Sequence, residues 1–359
     1  MRIALYAPMK SPAHPVPSGD RTMARLLVRA LELAGHRVAL ASDLRVFLRE
    51  SDAGLLAPLA AAADAERQRL SRDWRDNGAP DLWLCYHPYY KSPDLIGPAL
   101  SRDFAIPYVT VESSWSRRRN QGDWARAQDH VTAGLAQAAL NLSMTARDAQ
   151  GLAEARPDAR IARLAPFIDA APFAATPAPQ PGHFVTAAMM RAGDKLSSYR
   201  ALAAALAMVP GDWRLSIAGD GPARAQVEAA FAALAGRVTF LGQLSQPALA
   251  ALYAQGWLYL WPGHAEAYGL AALEAQAAGL PVISENTAGV PEVVRDGDTG
   301  ILTPPGDTTA YARAIAALAK DAPRRAAMAA AARRFAHDER GLEAAAHRLD
   351  TLLREVAKP

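Results

Sequence analysis

The chain is nearly devoid of cysteine. Cys85 is the one such residue among 359, which excludes an internal disulfide and any thiolate cage for a metal. Its place in the apolar run "LWLCY" predicts a small buried side chain rather than a nucleophile. Charge bias is also scarce. Thirty-nine Lys and Arg face 36 Asp and Glu, for a net charge of +3, which excludes a dedicated nucleic-acid binder. What surplus there is lies in residues 1–175, with one dense cluster at Arg117, Arg118 and Arg119. No segment approaches the roughly 18–20 apolar residues that cross a bilayer. The opening "MRIALYAP" is too short for a signal peptide and reads as a strand. These absences point to a cytoplasmic protein, with peripheral contact at the inner membrane face left open to the basic cluster.

Short apolar runs alternate with longer amphipathic ones, the pattern of a parallel α/β architecture. In the first half the expected strands are 2–7, 37–41, 82–86, 107–111 and 139–143, with helices such as 20–34 and 122–138 between them. Both parities of these strands are apolar, as in a sheet covered on both faces. The segment "AAPFAATPAPQPG" (170–182) holds four prolines and can continue neither periodicity, so it reads as a linker. Alternation then resumes with strands at 183–188, 213–219, 237–242, 257–262 and 281–284. Helices are expected at 195–208, 222–234, 246–254 and 269–278, and a terminal one at 341–357. No solenoid repeat is present. The expectation is two Rossmann-like doubly wound parallel-sheet domains, 1–169 and 183–335, facing across a cleft. Residues 336–359 would cross back to the first.

Two carboxylates stand out in "HAEAYGLAALEAQAAGLPVISENTAGVPEVV": Glu266 and Glu274. Glu266 falls in the loop before the helix 269–278, and Glu274 inside it. Even a fully helical span would set them roughly 12 Å apart. A glycosidase pair needs roughly 5–9.5 Å, so the spacing favours two carboxylates gripping different parts of an extended ligand. The helix start between them offers free N–H groups and a positive dipole end, and Gly269 leaves it open to an anion. A nucleotide-sugar has that layout, with hydroxyls at both ends and phosphates between. Arg191 and Lys195, just after strand 183–188, are two cations at a strand's carboxyl end. They could neutralise a diphosphate and stabilise it as a leaving group without a metal.

Residues 264–306, together with "LSIAGDGP" (215–222) and "VTFLGQL" (238–244), resemble the signature of family 4 retaining glycosyltransferases of the GT-B fold. The resemblance is strong over about 183–335 and looser over 1–168. It implies that Glu266 contacts the donor sugar and Glu274 the ribose hydroxyls. Backbone N–H groups of Tyr268, Gly269 and Leu270 would hold sugar and phosphate, and Arg191 and Lys195 the diphosphate. The spacing of that cation pair departs from the family pattern. In the first domain, one glycine, Gly19, stands where members often have two. Glu112 occupies the usual position of a histidine, while His87 ends the preceding strand. His87 and Glu112 are therefore both candidates to bind or activate the acceptor.

The resemblance implies a retaining, metal-independent transferase. It would move a sugar to a sugar, lipid-linked or small-molecule acceptor, as in cell-surface glycan or glycolipid synthesis. An epimerase or phosphorylase on the same fold, or a non-catalytic nucleotide-sugar-binding subunit, are the competing readings. Asp296-Gly297-Asp298 spells a D-x-D metal motif but reads as a turn, being followed by Thr299-Gly300. Trp115 and Trp124 flank the arginine cluster and could either stack on a sugar or pack beneath the loop.

Overall fold

A computed structural model describes every residue except Pro17, Ser51, Lys358 and Pro359. The chain divides into two compact units, one made of Met1–Ala165 with Leu342–Pro359 and the other of Pro166–Gly341.

In the first unit the elements run β1 (Arg2–Tyr6), α1 (Gly19–Leu33), β2 (Arg37–Ser42), α2 (Ala53–Asn77), β3 (Leu82–Tyr86) and α3 (Gly97–Asp103). They continue with β4 (Tyr108–Val111), α4 (Asp123–Gln137), β5 (Leu140–Ser143), α5 (Ala146–Ala155) and β6 (Ile161–Arg163). The strands form one sheet in the order β2-β1-β3-β4-β5-β6, and all its pairings are parallel. Every residue of β3, β4 and β5 is buried, as helices on both faces require. Cys85 is among them, and burial pushes its thiol well above the ordinary range.

The second unit runs β7 (His183–Ala187), α6 (Asp194–Leu206), β8 (Arg214–Ala218), α7 (Arg224–Ala230), β9 (Val238–Gly242), α8 (Gln246–Gln255) and β10 (Leu258–Leu260). It continues with α9 (Leu270–Ala277), β11 (Val282–Glu285), β12 (Gly300–Thr303), α10 (Thr308–Lys320) and α11 (Ala322–Arg334). Its sheet has the order β12-β11-β10-β7-β8-β9, again parallel throughout. This is the 3-2-1-4-5-6 winding of a dinucleotide-binding fold when counted from β7.

The final helix, α12 (Leu342–Val356), returns to the first unit and packs on α1. Its buried stripe of Leu342, Ala345, Ala346, Leu349, Leu352 and Leu353 follows the helical period, and burying each leucine contributes about 1.5–3 kcal/mol.

The strand ranges differ from expectation by no more than two residues at either end. β6 had not been expected, because "IAR" is too short and too polar to register as a strand. The unit boundary falls between Ala165 and Pro166, ahead of the expected linker. Residues 170–182 are part of the second unit. Their backbone N–H groups at Ala178 and Gln180 donate to the carbonyls of Ala254 and Gln255 at the end of α8. Proline removes donors and fixes φ, but it leaves carbonyls and alternate N–H groups available to dock an extended segment.

Candidate functional site

Strand order reverses direction between β7 and β10 in the second unit. A doubly wound sheet opens a crevice outside the carboxyl ends of its strands at such a point. The segment after β7 carries Arg191 and Lys195, and the segment after β10 carries Glu266, so the topology brings the predicted residues to one crevice.

Lys195 Nζ donates a hydrogen bond to Glu266 Oε1, and the pair is largely buried. Trp261 Nε1 donates to the same oxygen at 2.9 Å, and Lys195 Nζ lies 5.3 Å from the centre of the Trp261 ring. The indole is itself fixed edge-to-face against Tyr199, with centroids 4.9 Å apart. Tyr199 is anchored in turn by its hydroxyl on the Ala188 carbonyl at 2.7 Å. A lysine in the first turn of a helix opposes the macrodipole. In α6 the Glu266 carboxylate offsets that cost.

Local backbone explains how Glu266 arrives there. Gly263 (φ 81) and Ala265 (φ 52) take left-handed conformations, and Glu266 N closes the bend on Gly263 O at 3.1 Å. A left-handed alanine costs about 1–3 kcal/mol and needs its surroundings to hold it. His264 supplies that hold. Its N–H donates to Ser198 Oγ at 3.0 Å, its Nδ1 meets Ser197 Oγ at 2.7 Å, and its Nε2 lies 3.4 Å from Glu285 Oε1. Glu285, buried at the end of β11, also accepts from Gly306 N at 3.0 Å. From the other side Gly289 N donates to Glu266 O at 3.2 Å. Any Cβ on Gly289 would fall 1.5 Å from Ala267 O, so only glycine permits this approach.

Helix α9 begins at a glycine cap, Gly269 (φ 88), with no side chain capping it. Among the described residues the N–H groups of Leu270 and Ala271 have no backbone or side-chain acceptor, leaving the positive end of the helix open. The Tyr268 side chain is buried rather than directed at solvent. Glu274 lies one turn into α9 and is half-buried. Burial alone pushes its carboxyl up to about 7, and no hydrogen-bond or ion-pair partner meets it among the described residues. An unpartnered, desolvated carboxyl is a group prepared for a ligand donor. Arg191 is exposed, and its guanidinium makes no ion pair among the described residues. The structure joins Lys195 to Glu266 but does not join Arg191 to them.

The "GDGP" turn interlocks with the segment after β7. Met190 N donates to Asp220 O at 2.9 Å, and Ala223 N donates to Met190 O at 3.0 Å. Gly219 (φ 140) passes so close that a Cβ would lie 1.9 Å from Ala188 O. This turn braces the crevice wall. Asp296 accepts from Leu302 N at 2.9 Å and Gly297 N donates to Gly300 O at 2.9 Å, so the D-x-D stretch is a turn. Among the described residues no group of three or more His, Cys, Asp or Glu is placed to hold a metal.

The first unit reverses its strand order between β1 and β3, and another acid–base pair lies at that point. Asp20, the second residue of α1, puts Oδ1 3.2 Å from His87 Nδ1. Gly19 is the first residue of that helix, behind the Ser18 cap. A Cβ there would meet nothing within 4 Å, so packing does not demand glycine. His87 N donates to Val111 O and Glu112 N to Leu142 O, both at 2.8 Å. Each residue thus extends its ladder one step and then turns left-handed, with φ 59 and φ 57. Burial would lower the His87 imidazole, but Glu112, Asp20 and Asp148 outweigh it and raise it to about 9. Burial likewise opposes the Asp20 carboxylate, yet the adjoining His87 imidazole holds it below its ordinary value.

Asp20, Trp261, His264's two serines and Glu285 were not singled out from sequence. The usable signals were modest. Asp20 follows the predicted Gly19 directly, and Glu285 closes a predicted strand at its carboxyl end.

Residues 198–335 match the profile of the family described as glycosyl transferases group 1. Among curated relatives, the D-inositol 3-phosphate glycosyltransferase of Mycolicibacterium paratuberculosis is 45% identical over 114 residues, 32% of this chain and 25% of that one. The α-D-kanosaminyltransferase of Streptomyces kanamyceticus is 33% identical over 147 residues, 40% of this chain and 38% of that one. The chain thus spans about a quarter to two fifths of the length of these relatives. Among solved structures, sucrose-phosphate synthase of Thermosynechococcus elongatus superposes with a TM-score of 0.78 at 21% identity, covering 99% of this chain and 98% of the other. Anabaena HepE in complex with UDP-glucose does so with a TM-score of 0.70 at 18% identity, covering 99% and 100%. These likenesses show the GT-B fold, with a Rossmann-like sheet in each unit.

Proposed function

We propose that this chain, which belongs to the glycosyl transferases group 1 through residues 198–335, moves a sugar from a nucleotide-sugar to a hydroxyl acceptor with retention of anomeric configuration. The observation that carries the reading is the Lys195–Glu266 pair at the switch point of the second sheet, beside the uncapped start of α9. In this reading the donor diphosphate meets Lys195 and the N–H groups of Leu270 and Ala271. Glu266 accepts from sugar hydroxyls, and Glu274 accepts from the ribose. The complex of HepE with UDP-glucose supports a nucleotide-sugar of this kind.

The chemical step balances without a protein nucleophile. The bond from the anomeric carbon to the diphosphate oxygen breaks, and a bond to the acceptor oxygen forms on the same face. The acceptor proton passes to the departing phosphate oxygen. Lys195 and the helix start stabilise the charge that develops there, the place a metal fills in other transferases. In the first unit His87 is raised to about 9, so it is an imidazolium at neutral pH. It therefore serves as a hydrogen-bond donor to the acceptor rather than as the base, while Glu112 supplies the accepting carboxylate.

The test is turnover over a panel of nucleotide-sugars and hydroxyl acceptors, with product configuration read by NMR. Transfer with retention supports the reading. Interconversion of the donor without an acceptor, dependence on free phosphate, or binding without turnover over the panel would each replace it.

A further inference from the structure

A run of rings leads away from His87 along the carboxyl edge of the first sheet. His87 stacks on Tyr89 at 4.9 Å and 28°. Tyr89 meets Tyr90 edge-on at 5.3 Å, and Tyr90 meets Trp124 edge-on at 5.0 Å. Two cations close the outer end. Lys91 Nζ lies 5.9 Å from the Tyr90 ring centre and 5.5 Å from that of Trp124. The Arg119 guanidinium lies 5.5 Å from the same tyrosine ring. Neither cation has a carboxylate partner among the described residues. Lys91 is half-buried, while Arg119 and the two arginines before it are exposed, and those two also make no ion pair among the described residues. Cations held by ring faces keep their charge undiminished, since a ring neutralises nothing. An unspent positive field is what a site for an anion requires.

We propose that Lys91 and Arg119, set on the Tyr90–Trp124 pair, bind a phosphate-type anionic group carried by the acceptor. The hydroxyl to be glycosylated would lie toward His87 and Glu112. The proposal rests on the reading above only in calling the ligand an acceptor. The two strands concerned, β3 and β4, are neighbours. The loop after β3 carries Tyr90, and the segment after β4 leads to Trp124 in the first turn of α4, so one sheet edge carries both features. Tyrosine and tryptophan faces suit the carbon face of a sugar or polyol next to the anion. The same headgroup chemistry occurs on a free phosphate ester and on an anionic lipid.

The experiment uses the full chain without any nucleotide-sugar, so its outcome is independent of donor binding and turnover. One arm titrates glycerol 1-phosphate, with glycerol as the neutral control, by calorimetry. The other measures co-sedimentation with vesicles of phosphatidylglycerol in phosphatidylcholine, with pure phosphatidylcholine as the control. Binding to at least one anionic probe is expected. The double variant Lys91→Gln/Arg119→Gln should weaken it at least about tenfold, and Trp124→Phe should retain most of it. Binding in the first arm identifies a soluble phosphate ester, and binding confined to vesicles identifies a lipid headgroup. No binding in either arm, or binding undiminished in the double variant with its fold intact by circular dichroism, overturns the proposal.

Discussion

Lys195 and Glu266 are 71 residues apart in sequence and share a hydrogen bond across the switch point of the second sheet. Asp20 and His87 stand in the equivalent relation in the first sheet, 3.2 Å apart. In each unit the second residue of the first helix after the first strand pairs with one following the strand on the other side of the reversal. Parallel winding alone brings such segments together. Opposite charge then holds them, and an incoming ligand can divide the pair between its own charged and hydroxyl groups.

The first prediction follows from the shared oxygen. Trp261 Nε1 and Lys195 Nζ both donate to Glu266 Oε1, so Glu266→Gln keeps an acceptor for the indole while losing the charge that balances Lys195. Turnover should fall about a hundredfold with little change in thermal stability. Parallel activity and melting measurements check it, and an equal loss of both would assign Glu266 a structural role.

Glu274 should make stability depend on pH. Its folded carboxyl is raised by burial from 4.5 to about 7, so between those values the native state holds a proton that the unfolded chain has lost. Stability should therefore fall as pH rises through this window. Glu274→Gln should flatten that slope and gain on the wild type above pH 7. Urea unfolding at pH 5 and pH 8 for both proteins reads the difference. Binding of a ribose that donates to the carboxylate should also release protons, visible as a buffer-dependent enthalpy.

The two sheets, their strand ranges and the Glu266–Glu274 segment were legible because periodicity, glycine and proline act locally. The partners were not. That Lys195 meets Glu266 depends on strand order, and that Glu285 meets His264 depends on two strands' carboxyl ends lying side by side. Arg191 shows the converse. Its place with Lys195 at a strand's carboxyl end suggested a shared role toward a diphosphate, and the chain turns at Gly193 (φ 77) so that its guanidinium stands exposed while Lys195 meets Glu266. The prolines of 170–182 marked a linker, but its docking on α8 was not legible, because composition reports what a segment cannot form, not what it can dock against.

His87 should titrate near 9 in the wild type. Replacing Asp20 with Asn removes one of the charges that raise it and leaves the opposing burial in place, so the imidazole should titrate lower. The sign for stability follows. The His87 contribution is complete below its unfolded value of 6.5 and is lost as pH rises through about 9. Imidazole NMR shifts of the two proteins against pH settle it, and an unchanged titration would remove Asp20 from the account.

Gly289→Ala should destabilise the second unit by about 2 kcal/mol or more, since the added Cβ has to displace backbone rather than a side chain. The displaced carbonyl belongs to Ala267, next to Glu266, so nucleotide binding should weaken as well. Thermal unfolding and nucleotide titration of the variant read both effects together.

The central claim is that the second unit's switch point holds the diphosphate of a nucleotide-sugar. Calorimetric titration of UDP and UDP-glucose, extended to the other nucleoside diphosphates and their sugars, measures it directly on the wild type, Lys195→Ala and Glu274→Ala. The account predicts binding of at least one nucleotide by the wild type and a loss of at least about tenfold in each variant. Failure of every nucleotide to bind, or equal affinity in all three proteins, would contradict it.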